Sequence, residues 1–203
     1  MTRTVLVATH NRGKIAEYKD LLQGLALDWV GLADVGVTRD VAETGNTFEA
    51  NAILKAAAYA AETKLLTLAD DSGLEVDALN GEPGVLTARY GGEGLTPKER
   101  YELLLRNLAG VSWEARTARF RCVIAVYDQG GLVGTAEGSC EGIIATEAAG
   151  EGGFGYDPVF YLPDWGKTMA QLPPGEKHKI SHRGKAVAAI EPLLRTLKAT
   201  SSS

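Results

Sequence analysis

The chain has 203 residues, 45% hydrophobic, 23% charged and 7% aromatic, proportions that fit a soluble globular protein with a sizeable core. Lys and Arg number 21 and Asp and Glu 26, a formal net charge of −5, which argues against a general nucleic-acid binder because such proteins carry a basic excess. No run approaches the ~18 apolar residues of a membrane span. Residues 1–5 pass straight into a strand-like segment without a signal-peptide core, so the expected location is cytoplasmic. Cys122 and Cys140 make no disulfide framework and are expected as buried, reduced thiols.

Residues 4–8 (TVLVA) are β-branched and apolar, the composition of a buried strand. After the polar turn Thr9-His10-Asn11-Arg12-Gly13-Lys14, the residues Ile15, Tyr18, Leu21 and Leu22 recur at helical spacing. Residues 28–32 fit a second short strand. Asn46-Thr47-Phe48-Glu49 reads as a capping box opening an Ala-rich helix to about Glu62. Residues 65–69 (LLTLA) form another buried strand, expected to end in the turn Asp70-Asp71-Ser72-Gly73. The Gly- and Pro-rich stretch 80–94 reads as a long irregular loop. Thr96-Pro97-Lys98-Glu99 starts a helix with Pro at its first position and Gly110 beyond its end. Residues 116–128 alternate in polarity and return over 132–144 through Gln129-Gly130-Gly131, as a β-hairpin does. The last helix is expected from near Ser181 to about Leu197, with Pro192 kinking or interrupting it, and residues 199–203 as a frayed tail. Without repeats or linkers, residues 1–203 read as a single α/β domain on a mixed sheet.

Four segments carry candidate chemistry. The turn at Thr9, His10, Asn11, Arg12, Gly13 and Lys14 lies between a strand and a helix N-terminus, where backbone N–H groups and two cations favour phosphate. The alternative is a plain polar βα turn. Asp70 and Asp71 stand together at a strand end, with Glu43 as a third carboxylate. Adjacent carboxylates both ionise comfortably only near a cation, and a hard ion such as Mg²⁺ meets that need. The alternative is an Asp-Ser-Gly turn. Residues 150–155 match GxGxxG as a string, but run into Tyr156-Asp157-Pro158 instead of a helix, which excludes a dinucleotide loop. They leave either a close backbone approach to a ligand, with Phe154 and Tyr156 as stacking faces, or aromatics buried in the core. In Lys177-His178-Lys179-Ile180-Ser181-His182-Arg183, the spacing of His178 and His182 suits one helix face. Without a third ligand this segment reads as basic groups facing an anionic or carbonyl-bearing ligand, or as a solvated helix end.

Taken in order, residues 8–14 (AT-H-NRGK), 43–56 (ETGNTFEANAILKA), 69–79 (ADDSGLEVDAL), 83–90 (PG…ARY), 150–160 (GEGGFGYDPVF), 167–172 (KTMAQL) and 180–186 (ISHRGKA) resemble the non-canonical purine nucleoside-triphosphate pyrophosphatases, the inosine/xanthosine triphosphatase family. His10 stands where many relatives have a small residue, and Gln171 where an acidic one is common. The resemblance implies an elongated mixed sheet flanked by helices, two lobes around a central nucleotide cleft, and a homodimer. It implies Mg²⁺-dependent cleavage of ITP, dITP and XTP between the α and β phosphates. Thr9, Asn11, Lys14 and Lys55 would hold the triphosphate, Glu43, Asp70 and Asp71 the metal, and Asp71 would take the proton of the attacking water. Ser72 would touch the substrate, Phe154, Gly155, Tyr156 and Asp157 would line the base pocket, and Lys177, His182 and Arg183 would read the base edge. Small-molecule nucleotides are the expected partners, with neither nucleic acid nor membrane. The competing readings are a pyrophosphatase of pyrimidine or modified nucleotides, similar to the septum-formation inhibitor proteins, and a silent nucleotide sensor. The retained acidic set argues against silence.

Overall fold

The computed structural model describes residues 2–197, and the expected tail at 199–203 lies outside them. Within these described residues seven strands form one sheet in the order β2-β1-β3-β4-β5-β6-β7. They are β1 (Thr4–Val7), β2 (Asp28–Gly31), β3 (Leu66–Val76), β4 (Thr117–Asp128), β5 (Gly131–Ile144), β6 (Phe160–Leu162) and β7 (Lys167–Thr168). Both β2 and β3 pair parallel to β1, as strand–helix–strand connections require. β4 and β5 are neighbours joined only through Gln129 and Gly130, so they are antiparallel. β6 pairs antiparallel with both β5 and β7. The sheet is therefore mixed, as expected, although β6 and β7 are too short to leave a pattern in the sequence.

Among the described residues five α-helices accompany the sheet: α1 (Arg12–Leu21), α2 (Phe48–Thr63), α3 (Pro97–Asn107), α4 (Pro174–Ile180) and α5 (His182–Thr196). None is long and apolar enough to cross a membrane among the described residues. The cap of α2 is Thr47, whose hydroxyl accepts from Ala50 N. The helix thus starts one residue later than the expected box at Asn46, and Glu49 is left in the first turn without the reciprocal bond. α3 does carry the full box, with Thr96 and Glu99 bonded both ways and Pro97 at the first position. α5 continues through Pro192 instead of stopping there; a proline inside a helix removes one N–H bond, and the residues on either side hold the rest. Within the stretch 80–94, which looked irregular, Gly84–Arg89 winds into 3-10 turns.

Packing divides the described residues into two compact units: residues 2–71, 122–138 and 183–197, and residues 72–121 and 139–182. The first unit's core gathers Val5 and Val7 of β1, Tyr18 and Leu22 from the α1 region, Leu66 and Leu68 of β3, Cys122 and Ile124 of β4, and Ala186 to Leu194 of α5. The second unit's core joins Leu74 and Val76 of β3 to Leu104 and Leu108, Phe120, Phe160 and Met169. Buried Arg116 closes this second core. Its Nε donates to Ile144 O, Nη1 to Leu108 O and Nη2 to Ala145 O, so one planar fork satisfies three carbonyls.

Neither cysteine is in a disulfide and both are buried, as expected. Burial, with the negative charge of Asp70 nearby, pushes the Cys122 thiol up to about 12, and only a thiolate attacks a disulfide reagent. The native protein is expected to release no thiol to Ellman's reagent at pH 8, and two thiols in denaturant. A thiol that titrates before unfolding would contradict the packing around β4 or β5.

Candidate active site

The first unit sets its polar side chains around β3. The strand does not end at Asp70, as the sequence suggested, but continues to Val76. Two buried carboxylates are tolerated within it because each finds cationic or N–H partners. Successive side chains point to opposite faces of a strand, which separates the two neighbours. Asp70 falls on the parity of Leu66 and Leu68 and meets α1 and α5. Asp71 meets α2.

Asp70 is 2% exposed. Its Oδ2 lies 3.0 Å from Lys14 Nζ, 3.3 Å from Arg183 Nη2 and 3.7 Å from Cys122 Sγ. Burial opposes ionisation here, but Lys14, Arg183 and Lys55 outweigh it and hold the carboxyl well below its ordinary range. Arg183 is itself 1% exposed. Its Nη1 donates to Glu17 Oε2, and the guanidinium carbon lies 5.8 Å from the Tyr18 ring centre.

Asp71 has a different set of partners. Its Oδ1 lies 3.2 Å from Lys55 Nζ, and its Oδ2 accepts from Asn51 Nδ2 at 3.1 Å. Lys55 Nζ also donates to Glu43 Oε1 at 2.6 Å. Burial raises the Asp71 pKa, Lys55 draws it back, and Glu43 adds to the rise. Burial works against the Lys55 ammonium, yet Asp71, Asp70 and Glu43 together keep its pKa above the usual lysine value. The Lys55 ammonium thus bridges two carboxylates, and Lys14 adds a weaker pull on Asp71.

At the β1–α1 turn, Asn11 caps α1, its Oδ1 accepting from Gly13 N at 2.9 Å and Lys14 N at 3.2 Å. Asn11 N donates to Thr9 Oγ1 at 3.2 Å. Arg12 is exposed. His10 turns to the segment at 39–40, with Nε2 3.1 Å from Arg39 O and 3.7 Å from Asp40 Oδ1.

The second unit holds the glycine-rich loop. Asp157 is buried, and its Oδ2 accepts from Phe154 N at 2.8 Å and from Lys177 Nζ at 2.6 Å. The same ammonium stands 5.2 Å from the centre of the Phe154 ring, within cation–π range. Ser72, at the start of this unit's share of β3, is half-buried. Gly155, at φ +63°, has open space where a Cβ would stand, whereas Gly153, at φ +71°, does not: a Cβ there would lie 2.0 Å from Asp157 Oδ2. Gly153→Ala is therefore expected to push Asp157 off Phe154 N and Lys177 and to cost about 1–3 kcal/mol. Urea unfolding measures this, and an unchanged midpoint would show that the loop has room to shift.

Several expectations change. Arg183 presents no edge to a ligand as placed here, because two carboxylates hold its guanidinium in the first unit's core. Tyr156 is a core residue, not a stacking face: it is 4% exposed, its hydroxyl donates to Thr87 O at 3.1 Å, and burial raises its pKa. His178 and His182 do not share a helix face. Ser181, with φ −66° and ψ 154°, separates α4 from α5, and His182 stacks on Phe120 at 4.8 Å. Among the described residues no three His, Cys, Asp or Glu side chains gather as a metal-binding cluster. Glu43 and Asp71 meet on Lys55, while Asp70 turns to Lys14 and Arg183. Two residues at the centre of these contacts, Glu17 and Asn51, had gone unmarked. Both are polar side chains on the buried face of an amphipathic helix, and that misfit with the apolar pattern was their signal.

The chain belongs to the Ham1 family, whose model matches residues 5–193. Along its length it is similar to proteins named dITP/XTP pyrophosphatase. The one from Bacillus subtilis (strain 168) is 48% identical over 192 residues, 95% of this chain and 97% of that protein. The one from Geobacillus kaustophilus is 49% identical over 189 residues, 93% of each chain. Among solved structures, the HAM1 protein from Coxiella burnetii superposes with a TM-score of 0.84 at 41% identity, covering 97% of this chain and 98% of that one. The Staphylococcus aureus Ham1 protein gives 0.82 at 42% identity, over 96% and 98% of the two chains.

Proposed function

We propose that this protein is a Mg²⁺-dependent pyrophosphatase that hydrolyses dITP, ITP and XTP between the α and β phosphates, releasing a nucleoside monophosphate and pyrophosphate. The observation that carries this reading is the likeness, over 95% of the chain, to a relative named dITP/XTP pyrophosphatase. The geometry supports it. Glu43 and Asp71 offer hard oxygen donors, a set that suits Mg²⁺ and would hold it. Asp70, already engaged by Lys14 and Arg183, is left out of that set. When bound, the ion neutralises phosphate charge and favours ionisation of water. Asp71 accepts the proton of the attacking water, and Asn51 and Lys55 fix the direction of its two oxygens. Lys14, Lys55 and the turn at Thr9–Gly13 receive the triphosphate, with Ser72 in contact with the substrate. Phe154 supplies the stacking face for the purine, with Lys177, Asp157, Gly155 and His182 around it.

Selectivity follows from hydrogen-bond chemistry. Hypoxanthine and xanthine carry a 6-keto acceptor where adenine carries a 6-amino donor, so a donor aimed at that position leaves adenine with an unpaired buried group, which can reject by orders of magnitude. The base-edge donors in this reading are His182, Lys177 and loop N–H groups, while Arg183 is held in the core by Glu17 and Asp70. The functional unit is a homodimer acting on small nucleotides, a point that light scattering tests.

The deciding experiment incubates the protein with Mg²⁺ and dITP, ITP, XTP, ATP or GTP and resolves the products by anion exchange. Monophosphate plus pyrophosphate from the first three, with ATP and GTP nearly untouched, is the expected result. Diphosphate plus inorganic phosphate would place attack at the γ position and overturn the reading. No turnover of any purine nucleotide would shift it to pyrimidine or modified substrates.

A further inference from the structure

Asn51 is 0% exposed in the middle of α2's buried face. A fully buried amide is costly unless both of its ends are bonded, and here they are bonded to two different segments. Nδ2 donates to Asp71 Oδ2 at 3.1 Å on β3, and Oδ1 accepts from Gly45 N at 2.7 Å. Gly45 lies two residues beyond Glu43. The approach is close enough to require glycine: a Cβ at position 45 would stand 2.7 Å from Asn51 Oδ1 and 2.8 Å from Ala50 Cβ. Lys55, one helical turn on, spans the same two segments through Glu43 Oε1 and Asp71 Oδ1. Two side chains at i and i+4 share a helix face, so α2 grips both acidic residues at two points.

We infer that Asn51 is a positioning residue that holds the Glu43 segment and the Asp71 carboxylate in register with each other. The inference rests on the function proposed above. Lys55 supplies charge, and its ammonium donates to both carboxylates without the directional plane of an amide. Asn51 supplies direction, because a short planar amide with one donor and one acceptor edge fits only one orientation between Gly45 and Asp71. Fully buried, it acts through the carboxylates.

The two bonds can be cut separately. Asn51→Asp keeps an acceptor for Gly45 N but loses the donor to Asp71, whereas the near-isosteric Asn51→Leu loses both. Three quantities are read: kcat and KM for dITP, the Mg²⁺ concentration at half-maximal rate, and hydrogen exchange of the Gly45 amide in the ligand-free protein. Both variants are expected to lose about 10- to 100-fold in kcat, the usual cost of removing a group that orients a metal ligand, with KM nearly unchanged. Gly45 exchange is expected to stay slow in Asn51→Asp and to accelerate at least about tenfold in Asn51→Leu. A merely structural part would instead lower activity only in proportion to unfolded protein, with kcat per folded molecule intact and Gly45 no more affected than the rest of the unit. That result, or unchanged Gly45 exchange in Asn51→Leu, overturns the inference. Should wild-type protein release no pyrophosphate, the proposed function fails and the catalytic part of Asn51 falls with it. Active wild type with fully active variants overturns the inference alone.

Discussion

Replacing Asp71 with asparagine is expected to lower dITP turnover by about 10²- to 10⁴-fold, the range over which a positioned proton acceptor contributes, while nucleotide still binds. The substitution keeps the volume of the side chain and an oxygen for Asn51 Nδ2, and Lys55 retains Glu43 at 2.6 Å. The fold should therefore survive, and the loss should fall on kcat. Steady-state kinetics with binding calorimetry separates the two quantities. Turnover within tenfold of wild type would remove Asp71 from the reaction and leave its buried contacts as purely structural.

The second large effect is on stability. Arg183→Ala is expected to cost about 3–5 kcal/mol, because removing one partner of a buried ion pair strands the other. Glu17 would lose its Nη1 donor, and Asp70 would keep Lys14 and the weak thiol donor of Cys122. Against a typical total of about 5–15 kcal/mol, the variant would unfold at much lower urea. Arg183→Lys should recover only part of the loss, since a single ammonium cannot place two separated donors as the guanidinium fork does. A cost below about 1 kcal/mol would be that of an exposed pair and would contradict the buried contacts with Glu17 and Asp70.

Local patterns carried the elements whose causes are local. The β-branched run of β1, the Thr96–Glu99 box of α3 and the alternation in β4 each announced themselves, because propensity, capping and period act over a few residues. β3 was read too short. Its continuation past Asp70 depends on Lys14, Arg183 and Lys55, none of which is near it in sequence. The candidate residues were mostly legible from motifs, but their orientations were not. Arg183 and Tyr156 looked ligand-facing because arginine and tyrosine suit that work, and burial against Glu17, Asp70 and Thr87 gave them another. Asn51 lies within the stretch 43–56, but its part is not legible there, since an amide's part is visible only when both of its bonds are.

The division of labour between Asp70 and Asp71 has no basis in their chemistry, which is identical. It rests on parity: even-numbered side chains of this stretch of β3 face α1 and α5, and odd-numbered ones face α2. A single inserted or deleted residue ahead of Asp70 would leave every side chain chemically intact and exchange the two assignments, sending one aspartate to the arginine and the other to the lysine of the wrong helix. What this strand encodes is thus a reading frame, and the protein should tolerate many substitutions along it more readily than one change in its length.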